Sequence, residues 1–506
     1  MSDADVSGQD DPVSAPMPGD DDPLVQTRRA KLARLRDAGF EPFPARTGRT
    51  HSLQQALTIL GDQQTSDAPL TLAGRVVLLR PMGRASFGQL QDASGRMQMY
   101  LRRDAVGAEA YQLFRATVDL GDLIEISGSM FRTRTGEPTL QVASWQMMTK
   151  SLRSPPEKWH GLTDVEARLR RRHLDILANK DTFDLLSQRA RIVRAVRDFY
   201  QARDYLEVET PVLQALHGGA AARPFTTYYQ ALDSEFHLRI SLELYLKRLL
   251  VGGFERVFEI GRVFRNEGIS HRHSPEYTLL ESYEAYADYH TMLELVEQLV
   301  STVAQQVLGR QTVTYQDQEI DLSPPWRQIT LREAILAETG VDFTQHRDLT
   351  ALQSAIADAG VRVEPQPTWS KLVDQLLDSV VAPRLIQPTF VLDYPLDLSP
   401  FAKLKPGSDD TVERFEAFAA GIELANAFSE LNDPDDQYQR FLQQVAAREG
   451  GDDEAHVMDL DFVEALQQGM PPAGGLGVGI DRLVRFLLGQ TTLRDVIFFP
   501  MLRTVE

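Results

Sequence analysis

Apolar and charged residues alternate from Arg256 to Tyr286, the period of two that a half-buried strand imposes. The stretch RVFRNEGISHRHSPEYTLLESYEAY, residues 262–286, predicts two strands joined by a loop at GISHRH. Arg265 and Glu267 stand two apart on the first strand and share a face. Tyr277, Leu279, Glu281 and Tyr283 share a face on the second. The predicted hairpin gathers an arginine, two glutamates and two tyrosines on one side. An arginine's fork of donors suits a phosphate, and carboxylates beside it suit a cation or an ammonium group. The HRH triplet has no third ligand nearby, which argues against a metal role. Taken alone, the hairpin fits a ladder of surface ion pairs equally well.

The pattern extends in both directions. LVQTRRAKLARLRDAG, residues 24–39, has five basic residues in helical spacing and a stop at Gly39. It fits either a solvated helix or a nucleic-acid-binding arm. Residues 70–150 hold five strand-like runs separated by Gly, Asp and Ser turns, which predicts a small barrel of the oligonucleotide-binding (OB) type, or a small sandwich with no ligand. Ile192, Val193, Val196, Phe199 and Tyr200 mark one predicted helix, and Met292, Val296, Leu299, Val300 and Val303 a second. Strands recur at TFVLDY, ERFEAFAAGIELANAFSEL and GGLGVGI without βαβ spacing. The expected fold class is therefore α+β, an antiparallel sheet flanked by helices, with an N-terminal five-stranded OB-type β-barrel. The expected boundaries are a disordered acidic tail at 1–23, an N-terminal helix plus barrel at 24–153, a proline-containing linker at 154–164, and one α+β domain at 165–506 with a polar helical insertion at 325–385.

Composition narrows the functional classes. The chain has 506 residues, 42% of them hydrophobic and 25% charged, which is ordinary for globular proteins. Without cysteine it can form neither disulfides nor thiolate metal sites, in keeping with a reducing cytoplasm. The net charge of −19 argues against a DNA-binding protein and leaves RNA contact to local basic surface. No apolar run is long enough to span a bilayer, so no membrane partner is expected.

Two further clusters add chemistry. Glu416 and Glu423 flank a predicted turn at Ala419–Gly421, on strands otherwise rich in Phe, Ile, Leu and Ala. Paired carboxylates repel unless a cation sits between them, and hard oxygen ligands suit Mg²⁺. Asn426, Phe428 and Glu430 then alternate onto one face. In GGLGVGIDRLVRFLLG, Asp481 and Arg482 open a helix after a glycine-rich strand, a place for an arginine to hold a nucleotide phosphate. The βαβ context of a dinucleotide fingerprint is missing.

Together, FRNE with its loop, GLGVGIDR, and the helix and strand ending in EVETPVL resemble the three motifs of class II aminoacyl-tRNA synthetases. HGGAAARPF, LELYLKRLLVGGFERVFEIGRVFRNEGIS, AYADYH and NAFSELND extend the likeness over most of residues 24–506, nearest to lysyl-tRNA synthetases of the class II, bacterial type. The resemblance implies an ATP-dependent ligase that joins L-lysine to tRNA(Lys) through a lysyl-adenylate, acting as a homodimer with Mg²⁺. It implies that Arg265 bridges the lysine carboxylate and the α-phosphate. Glu267, His273, Tyr277 and Arg482 would hold ATP, and Glu416 and Glu423 the metal. Glu243 would take the α-ammonium, with Glu281, Tyr283, Asn426 and Glu430 lining the side-chain pocket. In the barrel, Phe87, Gln98 and Glu137 would contact the anticodon. Ser274, Tyr228, Tyr229 and Leu242 depart from common residues of that family.

Three rivals remain in view. Aspartyl- and asparaginyl-tRNA synthetases share the fold, but Glu281 and Glu430 favour an ammonium over an acid or amide. Enzymes that attach a lysine-like residue to a protein lack the N-terminal barrel. A catalytically dead RNA-binding protein would be expected to lose Arg265, Glu416, Glu423 or Arg482, and all are present.

Overall fold

A computed structural model of the chain describes residues 21–156, 162–270, 273–450, 452 and 454–503. The expected acidic tail lies outside these residues up to position 20, as do 157–161 of the linker and His271 and Arg272 of the HRH triplet. The chain divides into two compact units, Met1–Leu162 and Thr163–Glu506.

The first unit begins with helix α1, Pro23–Asp37. Asp22 caps it by accepting from the Leu24 N–H, proline fills the first turn, and Gly39 ends it at φ +81°. Part of its basic face is structural. Arg28 is buried and donates to the carbonyls of Leu120 and Ser151 at 3.0 and 2.8 Å, and Lys31 pairs with Asp119 at 2.5 Å. Arg34 and Arg36 remain exposed. Five strands follow: β1 Thr65–Met82, β2 Ala85–Asp92, β3 Gly95–Arg102, β4 Leu123–Arg132 and β5 Pro138–Thr149. They close into a barrel in the order β1-β2-β3-β5-β4, so no strand edge is left unpaired. Alternate residues such as Leu72, Leu90, Met99, Ile126 and Val142 fill its interior.

The second unit is built on an eight-stranded sheet. Its strands are β6 Leu206–Glu207, β7 Arg256–Phe264, β8 Glu276–Ala285, β9 Arg327–Thr330, β10 Thr389–Pro395, β11 Thr411–Ala419, β12 Ile422–Ser429 and β13 Ala473–Gly479. The order is β9-β10-β11-β12-β13-β8-β7-β6, antiparallel except for the parallel pairs at the two edges. Helices α2 (Lys180–Gln201) and α4 (Tyr289–Leu308) follow the predicted spacing, and a further helix, α3 (Glu243–Val251), lies between them in the chain. Ile192, Val196 and Phe199 of α2 and Met292, Val296 and Leu299 of α4 pack with Leu280, Phe415, Ala427 and Val478 of the sheet. Because strand side chains alternate, the neighbours of those sheet residues turn to the opposite face.

Residues 325–385 differ from the polar helical insertion that the sequence suggested. The segment opens with β9, an edge strand of the main sheet; four residues are too few for a period to reveal a strand. Its helices α5 (Leu331–Thr339), α6 (Leu349–Asp358) and α7 (Trp369–Leu376) bury Ile335, Leu352, Trp369 and Leu372 in a core that also contains Val391 and Tyr394.

Candidate active site

The sheet face opposite α2 and α4 carries a cavity of about 460 Å³. Arg265, Glu267, His273, Tyr277, Glu281 and Tyr283 line it from the hairpin, Glu416, Glu423 and Asn426 from β11 and β12, and Glu243 and Arg482 from two helix starts. Arg265 and Glu267 lie past the end of β7 and not on it. Pro275 has no N–H to continue the ladder; its carbonyl accepts the Arg265 N–H at 2.8 Å, and the chain turns away. Arg265 still faces the ring of Tyr277, 5.5 Å from its centroid.

One end of the cavity is a carboxylate wall. Glu243, which opens α3, and Glu281 on β8 line it, and Glu430, which follows β12, lies close by without lining the cavity itself; all three are buried. Glu281 accepts from Ser241 Oγ at 2.7 Å, from the Leu242 N–H at 3.1 Å and from Tyr283 OH at 3.1 Å. Burial, with repulsion from Glu243, pushes its carboxyl up to about 7 against those hydrogen bonds. Burial also raises Glu430 well above the usual carboxylate range, opposed by Lys247. Glycine at 475 makes room for that group: a Cβ there would stand 1.8 Å from Glu430 Oε1. Oε1 has no hydrogen-bond partner in the protein.

Lys247 was missed by the sequence reasoning, and its one signal is its place a helical turn after Glu243. It is fully buried and pairs with both Glu243 and Glu430.

The middle of the cavity is a second acidic group. Ala420 and Gly421, at φ +53° and +69°, make a two-residue turn with both dihedrals positive, the type that suits the strand twist. It brings Glu416 and Glu423 into the same cavity, joined there by Asp374 and Asp378 near the end of α7. These aspartates, distant in sequence, carry no spacing signal. Burial lifts the Glu416 carboxyl to about 8; Arg414 opposes the rise, and Glu423, Asp374 and Asp378 add to it. Arg414 donates to Glu416 Oε1 at 2.6 Å and to Asn426 Oδ1 at 2.9 Å. Its place two residues before Glu416 on one strand is a usable signal. Glu423 pairs with Arg482 at 2.5 Å. Asp481, next to Arg482, accepts the Thr278 N–H at 2.9 Å and pairs with Arg189 at 2.6 Å, which ties the start of helix α8 (Ile480–Leu487) to β8 and α2.

The first unit has its own groove. Phe87, Gln98 and Glu137 line it together, with Arg80, Thr133 and Thr135. Phe87 stacks on Tyr100, with centroids 4.5 Å apart, and Gln98 Nε2 donates to Thr139 Oγ1 at 2.9 Å.

A model of the class II tRNA synthetases (D, K and N) matches residues 164–503. The chain belongs to this family. A model of the OB-fold nucleic acid binding domain matches residues 70–148 of the same synthetase. Its curated relatives include the lysine–tRNA ligase of Pelotomaculum thermopropionicum, 50% identical over 96% of this chain and 95% of that one. The lysine–tRNA ligase of Chloroflexus aurantiacus is 50% identical over 95% of this chain and 98% of its own. That of Bacillus subtilis is 46% identical over 95% and 97%. In this class II synthetase the antiparallel centre of the sheet is the floor of the cavity, and the glycine-rich strand is β13, with no crossover of the dinucleotide-binding kind.

Proposed function

We propose that this class II synthetase is a lysine–tRNA ligase that joins L-lysine to tRNA(Lys) through a lysyl-adenylate, releasing pyrophosphate and then AMP. The observation that carries the reading is the carboxylate wall. Glu243 and Glu430 are buried and paired with one internal ammonium, Lys247, Glu281 is buried close enough to repel both, and Glu430 Oε1 lacks a partner. Buried carboxylates left unpaired are costly, so the wall calls for further cations. The α- and ε-ammonium groups of lysine answer it, Glu243 taking the first and Glu281, Tyr283, Asn426 and Glu430 surrounding the second. An acidic or amide side chain would meet repulsion or leave carboxylates unpaired, which disfavours the aspartyl and asparaginyl alternatives.

Arg265 then lies between the amino-acid end and the phosphates. Its fork offers donors to the lysine carboxylate and the α-phosphate, so it lowers the repulsion between two anions that must come into contact. As the carboxylate oxygen attacks phosphorus, charge shifts onto the leaving pyrophosphate, where Arg482 and His273 provide positive or donor groups. Tyr277 and Arg482 enclose the adenine, and Glu267 orients the nucleotide. Arg482 must exchange its Glu423 partner for phosphate oxygens. The terminal ribose of tRNA next attacks the adenylate carbonyl, and AMP leaves.

Mg²⁺ fits at Glu416 and Glu423. Such an ion takes one or two carboxylates and completes its shell with phosphates and water. Among the described residues no three metal-binding side chains are grouped to hold an ion by themselves, in keeping with an ion that needs the phosphates. Burial raises Glu416 to about 8 and Glu423, Asp374 and Asp378 add to the rise, a repulsion that a bound cation would relieve. When bound there, Mg²⁺ supplies charge neutralisation on the phosphates.

A homodimer goes with this reading. Leu206 on edge strand β6 and Val212, Leu213 and Leu216 later in the chain are exposed and supply apolar surface for a second copy, which sedimentation would detect. Cytoplasmic work on ATP and tRNA also goes with it; no helix among the described residues is long and apolar enough to cross a membrane.

The test is amino-acid-dependent pyrophosphate exchange across the twenty amino acids. Lysine alone should support strong exchange. Strong exchange with aspartate or asparagine and none with lysine would overturn the reading. The same assay reads Glu281. Ionised Glu281 attracts the substrate ammonium and protonated Glu281 does not, so with its carboxyl raised to about 7, kcat/KM for lysine should fall as pH drops from about 8 to about 6. Glu281→Gln should flatten that limb.

Phe87, Gln98 and Glu137 form the anticodon site in this reading. Phe87→Ala should leave lysine-dependent exchange unchanged and weaken aminoacylation by about 1–3 kcal/mol, the usual worth of a stacked base. Equal loss in both assays would make Phe87 a packing residue only. Removing the charge of Arg34 and Arg36 should instead weaken all tRNAs alike and flatten the salt dependence.

A further inference from the structure

Lys247 is 0% exposed, in the second turn of α3. Its Nζ lies 2.5 Å from Glu243 Oε1 and is paired with Glu430 Oε2. The rings of Phe401, Phe428 and Phe462 surround it at 5.0, 5.4 and 6.0 Å. A salt bridge so deep is a poor device for stability alone, because apolar residues of similar volume often do as well or better. Its location points elsewhere. It joins the carboxylate proposed for the α-ammonium to a carboxylate proposed for the ε-ammonium. By engaging one oxygen of each, it fixes their orientation and leaves the other oxygen. On Glu430 that oxygen is buried and unpartnered.

Resting on the lysine reading above, we propose that Lys247 is a positioning residue that holds Glu243 and Glu430 together and sets the residual charge of the amino-acid pocket. When all three carboxyls are ionised, as two incoming ammonium groups would favour, the wall and its one internal ammonium carry a charge of about −2, matched to a diammonium substrate whose carboxylate goes to Arg265. A substrate with a single ammonium group leaves the wall under-neutralised. Lys247 therefore takes part in selecting a diammonium amino acid without touching it.

The groups acting on Lys247 are Glu243 on its own helix, Glu430 beyond β12 and His456, and Glu281 and Tyr283 on β8 act on those two carboxylates. The two partner carboxylates hold the Lys247 ammonium above its ordinary value against the effect of burial. His456 cannot substitute as a cation; burial, with His217 and Lys247 nearby, pushes it down to about 4. Burial already raises Glu243 and Glu430, and Lys247 opposes that rise; without it their carboxyls rise further, so the wall loses negative charge at neutral pH and regains it in alkali.

The test is Lys247→Met in lysine-dependent pyrophosphate exchange, with KM for lysine and for ATP measured from pH 6.5 to 9.5. We expect KM for lysine to rise at least tenfold at pH 7.5, KM for ATP to stay within twofold, and the lysine defect to shrink as pH rises. Lys247→Arg should restore most of the affinity. Parallel losses for lysine and ATP, or a lysine defect that does not change with pH, would make Lys247 a structural brace and overturn the proposal. If Lys247→Met does not fold, the double variant Lys247→Met/Glu430→Gln removes both charges and again leaves about −2. Its KM for lysine should be no more than threefold above that of Glu430→Gln alone; a larger added loss also overturns the proposal. Failure of the unmodified protein to activate lysine would sink the functional reading itself, and is distinguishable because it needs no variant.

Discussion

Glu430→Gln should raise KM for lysine by about two orders of magnitude and leave KM for ATP within twofold. Glu430 is 1% exposed, and its two oxygens have different fates: Oε2 faces Lys247, and Oε1 has no partner in the protein. The proposed ε-ammonium completes the second. Removing one partner of a buried ion pair costs roughly 3–5 kcal/mol, and about 1.4 kcal/mol is tenfold in affinity. Glutamine keeps the shape and one acceptor, which places the effect near the lower end. In the proposed arrangement ATP lies at the other end of the cavity, so its KM should not register the change. Steady-state exchange with lysine and ATP varied in turn checks both halves. An unchanged KM for lysine would remove Glu430 from the pocket.

Glu423→Ala should reduce lysine-dependent exchange by about three decades while the protein remains folded. Glu423 is partly exposed in the cavity and pairs with Arg482, so its loss opens no hole in the core. Two effects coincide. Glu416 would be left as the single proposed metal carboxylate, and Arg482 would lose the acidic partner that holds it over the site. A metal on a reacting phosphate provides several kcal/mol of charge stabilisation, and about 4 kcal/mol corresponds to three decades in rate. Raising Mg²⁺ should recover part of the loss, which a defect in Arg482 alone would not show. Normal exchange at ordinary Mg²⁺ would exclude a metal role for Glu423.

Elements that repeat their apolar pattern over many residues are legible from the chain alone. The barrel strands, α2, α4 and the hairpin of β7 and β8 each run long enough to distinguish a period of two from one of 3.6. The four-residue edge strand β9 does not, and its pairing with β10 depends on a partner far away in sequence. Alternation continues through Arg265 and Glu267 and so puts them on a strand. Pro275 on the opposite chain ends the ladder there, a cross-strand effect that no local pattern records.

Which side chains share a face follows from strand and helix geometry along the chain, and so does the presentation of arginine and carboxylates together. Which faces meet depends on how distant segments pack. Strand β13 lies between β8 and β12, and so carries Gly475 between Tyr283 and Glu430. Helix α3 brings Lys247 between Glu243 on its own first turn and Glu430, which belongs to a distant part of the chain. The charge state of the wall is likewise a tertiary property. A carboxyl moves from its ordinary value toward 7 or 8 only when burial removes water and other carboxylates approach, and neither is written in the identity of the residue.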